Sequence, residues 1–413
     1  MKPKILFVIS LLILTHSLIL AQVRSLDDFI QNGLSNSPLL KDLNNQVRSN
    51  TIDSLLIKST RYPKIDFNGY YSYAPVINGY GYSEAITNGN NFITTLNLSQ
   101  PLFNQKTLEA KYSKIGYQNQ SLENNIKITE NDVRKAITDQ YLVAYSVNRE
   151  LAFKMTLLES MKEEEDILKR LTENGVYKQT DYLSFRVELQ GALLSINNLK
   201  IQYGKELATL NYLCGISDTA VYDLPQPNVE LRFPSPPPLS PLFQRFRIDS
   251  LSILNEKTLL DRNYKPAVNW FSDAGVISND PSVIYKNFGF NLGISFSLPV
   301  FDGNQRRLNY QKLKTFEETR KGYRDYFSNQ YYQQIRQLND ELEQTKALLM
   351  QLQQEVDLTE ALVKQDRELL GAGGISITDY VMALRNYILI QHYMNQYQVM
   401  ILQIINEINY WRQ

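Results

Sequence analysis

The chain has 413 residues, and its 43 basic and 43 acidic side chains leave a formal charge of zero at neutral pH. That balance provides no basic surface for a nucleic-acid partner. The single cysteine, Cys214, excludes an intramolecular disulfide and a cysteine-based metal cluster, and it reads as a small buried hydrophobe near a helix end.

The first residues, Met1-Lys-Pro-Lys4, are basic; an apolar run from Ile5 to Leu20 and a small residue, Ala21, follow. This is the pattern of a secretory signal peptide over residues 1–21. The run is short for a transmembrane helix and carries Thr15, His16 and Ser17. No cysteine follows it to accept a lipid. No later segment is apolar enough to cross a bilayer as a helix, so a mature chain embedded in a membrane must be held there by strands.

Ser25-Leu-Asp-Asp28 opens a helix as an N-cap with acidic first-turn residues. The helix runs, with polar breaks, to about Thr60, where Tyr62-Pro63 ends it. From Lys64 to Ala74 the period changes to two: Ile65, Phe67, Gly69, Tyr71 and Tyr73 alternate with Lys64, Asp66, Asn68, Tyr70 and Ser72. After a turn-rich loop, a second strand places Phe92, Thr94, Leu96 and Leu98 opposite Asn91, Ile93, Thr95, Asn97 and Ser99. Both segments have about the ten-residue length of a tilted transmembrane strand, and their alternation marks two different environments.

Pro101 closes the second strand, and a helix from about Asn104 to Thr172 predicts a rod of roughly 100 Å. It ends at a turn, Asn174-Gly-Val-Tyr-Lys-Gln-Thr180, and a second helix returns from Asp181. The return carries Tyr182, Phe185, Leu189, Ala192, Ile196, Leu199 and Tyr203 at three-four spacing. Residues 223–241 hold seven of the fifteen prolines and cannot be helical; they predict an extended strap.

The second half repeats the plan. A helix reaches Lys265-Pro266, and a strand places Val268, Trp270, Ala274 and Val276 on one side. In the last strand Phe288, Phe290, Leu292, Ile294, Phe296 and Leu298 alternate with Gly289, Asn291, Gly293, Ser295 and Ser297. A long helix with heptad positions Leu338, Leu342, Leu349, Val356, Val363 and Leu370 meets a second Gly-rich turn, and a final helix returns through Met394, Ile401 and Ile408. Thr378-Asp379-Tyr380 repeats Thr180-Asp181-Tyr182, and Gly373 repeats Gly175, at a shift of 198 residues. Pro299 and Phe301 repeat Pro101 and Phe103 at the same shift. The expected division is therefore signal peptide 1–21, first repeat 22–222, linker 223–241 and second repeat 242–413. Strands are expected at about 64–74, 91–100, 267–276 and 288–298, with tips at about 172–180 and 371–378. In each tip, Gly allows the helix to stop, and Thr or Asp is expected to supply an oxygen to the start of the returning helix.

Four strands cannot close a wall, and an open sheet edge is not viable in lipid, so several copies must share one barrel. Two copies would give about eight strands, filled by side chains; three would give about twelve, wide enough for a lumen. Phe290, Leu292, Ile294 and Phe296 are expected to face lipid, and the small polar face to line water.

The duplicated strand exits Ser99-Gln-Pro-Leu-Phe103 and Ser297-Leu-Pro-Val-Phe301, the two Thr-Asp-Tyr tips and the order of elements resemble TolC-family outer-membrane efflux proteins over the whole mature chain. The resemblance implies a mainly helical fold of duplicated α-hairpins, a homotrimer, and a β-barrel of twelve strands in the outer membrane of a Gram-negative cell. It implies a helical barrel reaching into the periplasm, a periplasmic adaptor protein docked on the tips, and an inner-membrane transporter as the energy source. The function implied is an exit duct for efflux or type I secretion, with no cofactor. At the periplasmic aperture the resemblance places Asp379, with Thr378 beside it. Met382 stands at the family's second acidic position and Ile375 at its basic one, departures that point to a weaker or more apolar gate. Asp181 is the first-repeat counterpart of Asp379, serving as cap or latch. Gly175, Val176, Tyr177, Gly373, Gly374 and Ile375 are the expected adaptor contacts.

Two other classes are weighed. An enzyme would need a catalytic set, yet the histidines are His16, in the signal peptide, and His392, alone on a helix. The acidic run Glu163–Asp166 reads as a solvated helix face. A pore-free periplasmic or surface coiled-coil scaffold would explain the heptads, but not four alternating strands with proline-marked exits.

Overall fold

The computed structural model describes residues 24–82, 89–102, 104–233 and 236–413. The signal peptide and Phe103 lie outside the described residues. The elements in chain order are α1 (Leu26–Asn36), α2 (Pro38–Ser59), β1 (Lys64–Ala74), β2 (Gly89–Leu102), α3 (Gln105–Glu173), α4 (Gln179–Leu213), α5 (Pro241–Asn263), β3 (Ala267–Ser278), β4 (Phe288–Ser297), α6 (Gln305–Gly371) and α7 (Ile377–Trp411). The order α2-β1-β2-α3-α4 recurs as α5-β3-β4-α6-α7. The chain forms two compact units that cut across this repeat: one gathers Met1–Lys41, Lys127–Ser240 and Ser328–Gln413, the other Asp42–Ile126 and Pro241–Phe327.

The second of these units holds an antiparallel sheet in the order β1-β2-β3-β4. Its register pairs Phe67 with Leu96, Leu96 with Ala274, and Ala274 with Phe290. Paired residues share a face, so the apolar positions of all four strands merge into one surface. Phe290, Leu292, Ile294 and Phe296 on it are each exposed, from 66% to 81%. The opposite face carries the row Asp66, Asn97, Asp273 and Asn291, with the Asn291 amide donating to Asp273 at 3.1 Å. Gly275 lets β3 lie close against β2, because a Cβ there would overlap the Thr94 carbonyl oxygen. Neither the outer edge of β1 nor that of β4 has a partner among the described residues. In the same unit, Phe243 and Phe246 pack on Phe327, the Arg245 guanidinium lies over Phe246 and Phe327, and the Asn255 amide donates to the Ala110 carbonyl at 3.0 Å.

The other unit is helical. Ser25 caps α1 in a reciprocal box with Asp28: the Asp28 N–H donates to the Ser25 hydroxyl at 3.3 Å, and the Ser25 N–H to the Asp28 carboxylate at 2.8 Å. The helix places Phe29, fully buried, edge-on against Tyr141 of α3. The α4 stripe Phe185, Leu189, Ile196, Leu199 and Tyr203 is buried in the same core. Cys214 lies there too, where burial pushes its thiol up to about 12. The proline-rich strap cannot make ladder hydrogen bonds, so side chains satisfy its backbone. Tyr141 donates to the Pro225 carbonyl at 2.7 Å and Tyr203 to the Tyr222 carbonyl at 2.5 Å. Asn409 of α7 accepts from the Arg232 N–H at 2.7 Å and donates to the Glu230 carbonyl at 2.8 Å.

Replacing Asn409 by Ala removes both ends of that last clamp. The expected cost is about 1–2 kcal/mol. Thermal unfolding would register it, and trypsin would cleave faster at Arg232.

Candidate functional site

The two helix-to-helix turns close in the same way. In the first, the Val176 N–H donates to the Leu171 carbonyl at 2.9 Å and the Gly175 N–H to the Thr172 carbonyl at 3.0 Å. In the second, Gly374 donates to Leu369 at 2.8 Å and Gly373 to Leu370 at 3.1 Å. Both are Schellman closures, and Gly175 and Gly373 hold the left-handed position with φ of 78° and 73°. The starts of the returning helices differ from the expectation of Thr or Asp caps. Ser376 is the N-cap of α7; its hydroxyl accepts from the Asp379 N–H at 3.1 Å and donates to the Asp379 carboxylate at 2.7 Å. Lys178 occupies the equivalent position before α4 and makes no side-chain cap. Thr and Asp therefore sit within the first turn of each helix, where a carboxylate meets the positive end of the helix dipole.

The tips interlock. The Tyr177 hydroxyl lies 2.8 Å from the Leu370 carbonyl and 3.0 Å from the Ile375 carbonyl, sharing its proton between them. Val176 packs on Gly373, at 2.8 Å from where a Cβ would stand. Val176, Tyr177, Gly373 and Ile375 thus form one surface, with Gly374 closing the second turn. Thr378, Asp379 and Met382 are exposed on the first turns of α7, while Asp181 is half-buried near the start of α4. Among the described residues no contact joins Asp181 to Asp379.

The acidic run of α3 is not a uniformly solvated face. Glu164 is buried and takes the Tyr380 hydroxyl at 2.6 Å, with Arg367 of α6 at 3.1 Å. Arg367 also reaches Glu163 at 3.1 Å. Glu165 pairs with Arg186 of α4 at 3.1 Å and accepts weakly from Tyr182 at 3.4 Å. Three consecutive carboxylates on α3 therefore hold α4, α6 and α7. The two motif tyrosines do different work: Tyr182 stays within its own hairpin, and Tyr380 crosses to the other, stacked on Phe185. Burial raises the pKa of Glu164, opposed by the Tyr380 hydrogen bond and the Arg367 charge. Burial and the facing carboxylate push the Tyr380 phenol far up. Tyr380 belongs to the repeated Thr-Asp-Tyr motif, whereas its partner Glu164 belongs to no repeated motif. Farther along the hairpins, His392 lies beside Glu150 at 3.1 Å, which makes it a packed rather than a lone histidine. Among the described residues there is no group of His, Cys, Asp and Glu able to hold a metal, and no helix is long and apolar enough to cross a membrane.

No family profile and no curated protein matches the sequence. Solved structures do match. The outer-membrane channel OprN superposes with a TM-score of 0.76 at 14% identity, over 94% of this chain and 91% of that one. The outer membrane protein VceC of Vibrio cholerae gives 0.76 at 12% identity, over 94% and 95%. The CmeC outer membrane channel of Campylobacter jejuni gives 0.73 at 17% identity, over 94% and 86%. The chain has the fold of the outer-membrane channels. The channel fold accounts for the sheet and both hairpins end to end, as the resemblance implied.

A carboxyl whose folded pKa is raised stabilises most below its unfolded pKa, and the contribution is lost as pH rises through the folded value. Hydrogen exchange of the Gly371–Ser376 amides, corrected for intrinsic rate, should show protection falling as the pH rises above the ordinary carboxylate range. Glu164→Gln should flatten that dependence. Tyr380→Phe should loosen the tips by about 1–3 kcal/mol, because the buried carboxylate loses its donor.

Proposed function

We propose that this chain is one of three identical subunits of an outer-membrane exit duct, serving a tripartite efflux or type I secretion system. The observation that carries this reading is the sheet: one largely apolar face, an opposite face crossed by the row Asp66, Asn97, Asp273 and Asn291, and two edges unpaired among the described residues, in a chain with the fold of outer-membrane channels. Three such sheets joined edge to edge give a closed wall of about twelve strands, with Phe290, Leu292, Ile294 and Phe296 toward lipid and Asn291, Gly293, Ser295 and Ser297 toward the lumen. A second apolar stripe supports self-assembly. Leu183, Val187, Leu194 and Ile201 recur along α4 at near-heptad spacing and stay exposed in the single chain.

In this reading the interlocked tips form the periplasmic end. Val176 and Ile375, with the glycines around them, offer the adaptor protein a small, rigid surface, and an inner-membrane transporter supplies the energy. Asp379 has two compatible roles. Its bond with Ser376 fixes the first turn of α7, and its exposed carboxylate, repeated around a three-fold axis, repels its copies and favours cations in a narrow mouth. Met382, one turn on, supplies an apolar rim rather than a second charge. Asp181 stays with its own helix.

The protein extracted in detergent from separated outer membranes should migrate as a three-chain particle. In planar bilayers, Asp379→Ala should lower the cation-to-anion permeability ratio roughly threefold and leave the trimer intact. A monomer recovered from the soluble periplasm would overturn the duct in favour of a pore-free scaffold.

A further inference from the structure

The sheet has two ends, and their charges differ. At the loop end, the described residues between Ala74 and Gly89 carry no charge, and those between β3 and β4 carry only Asp280 and Lys286. At the end joined to helices, basic residues crowd the four crossings. Lys58 and Arg61 precede β1, Lys106 follows β2, Lys265 precedes β3, and Arg306 and Arg307 follow β4. The acids in these crossings, Asp261 and Asp302, are already engaged. Asp261 takes Arg306 at 2.9 Å and the Tyr310 hydroxyl, and Asp302 takes the Tyr264 hydroxyl at 2.6 Å. Lys58, Arg61, Lys106, Lys265 and Arg307 are exposed and form no ion pair among the described residues.

Apolar groups stand among these cations. Val300 is 92% exposed, Phe301 86% and Tyr62 68%. The boundary of the apolar face is built rather than ragged. The Trp270 indole N–H donates to the Gln100 side chain at 3.1 Å, and the Gln100 amide donates to the Arg61 carbonyl at 2.9 Å. This string ties β3, β2 and the entry to β1 at one level, with a Trp of the kind that sits at a membrane–water interface. Free cations interleaved with exposed apolar side chains at the rim of a lipid-facing surface match a headgroup layer. The stems and rings meet acyl chains while the charges meet phosphate.

We propose that this end of the sheet is a collar that selects anionic glycerophospholipid headgroups in the leaflet facing the helices. Arg61, Lys265 and Arg307 are the principal contacts, and Tyr62, Val300 and Phe301 anchor the acyl region. The inference rests on the membrane reading above and adds to it a lipid class and a leaflet. A neutral bilayer would satisfy the apolar face alone and leave these cations without partners.

The test uses the assembled protein in nanodiscs of phosphatidylcholine alone and of phosphatidylcholine mixed with phosphatidylglycerol, with retained lipid counted by native mass spectrometry. The unmodified protein should retain phosphatidylglycerol over phosphatidylcholine about tenfold, and raised salt should weaken that preference. The combined variant Arg61→Gln, Lys265→Gln, Arg307→Gln should retain the two equally, while Lys286→Gln at the opposite end keeps the preference. Because the triple variant can fail to assemble, the salt series on the unmodified protein stands as an independent measurement. Equal retention by the unmodified protein, or a preference indifferent to salt, overturns the collar. Entry into both bilayers without preference sinks the collar alone, whereas failure to enter either one sinks the membrane reading with it.

Discussion

An unpaired strand edge has no place in hydrocarbon, and the proposed duct depends on that constraint. Each edge of the sheet presents a row of N–H and C=O groups, and each such group costs several kcal/mol if neither water nor protein meets it. The chain folds β1 to β4 into one layer and leaves both edges open. Along β1 and β4 the apolar face is exposed, at Phe67, Phe290 and Ile294 among others, so a surface that would hide in a soluble protein is displayed instead. The closed wall of several copies proposed above would resolve both facts together, and neither is resolved by the single chain.

The helical unit answers a different requirement. Long hairpins need lateral partners, because isolated helices are held mainly by packing of an apolar face. Here charge reinforces the packing at several places, Lys135–Glu407 at 2.8 Å among them, and most densely on one stretch of α3. Glu163, Glu164 and Glu165 on α3 reach Arg367, Tyr380 and Arg186 on three other helices. Removing one partner of a buried pair costs more than the pair contributes, so such a hub fixes which helices neighbour each other rather than how stable they are. The strap follows a related logic. Its prolines remove donors, and Tyr141, Tyr203 and Asn409 supply partners for the carbonyls that remain.

The strands were legible because alternation in two environments writes itself directly into composition, and Pro63, Pro101, Pro266 and Pro299 mark the crossings. The tips were legible because only Gly takes the left-handed turn comfortably, and two glycines stood at the same shift. The burial of Glu164 was not, because a run of acids reads as solvated unless the distant Tyr380 and Arg367 are known to converge on it. Nor was the pairing of β2 with β3, which joins the two repeats: periodicity assigns faces but not neighbours. The caps misled for a local reason. Thr-Asp-Tyr recurs, but the residue two before it is Lys178 in one copy and Ser376 in the other, and the cap depends on that position.

Internal duplication usually suggests interchangeable halves, and the tips show where this chain has lost that freedom. Tyr177 reaches across to Leu370 and Ile375, and Ile375 is its own counterpart in the second repeat. Space at Gly373 is filled by Val176, whereas nothing stands within 4 Å of a Cβ at Gly175. One copy has become the key and the other the lock. A chain assembled from two identical first halves would place two phenols where one is needed; two second halves would supply none. The ancestral symmetry survives in the order of elements, but the halves have become a complementary pair that can no longer be exchanged.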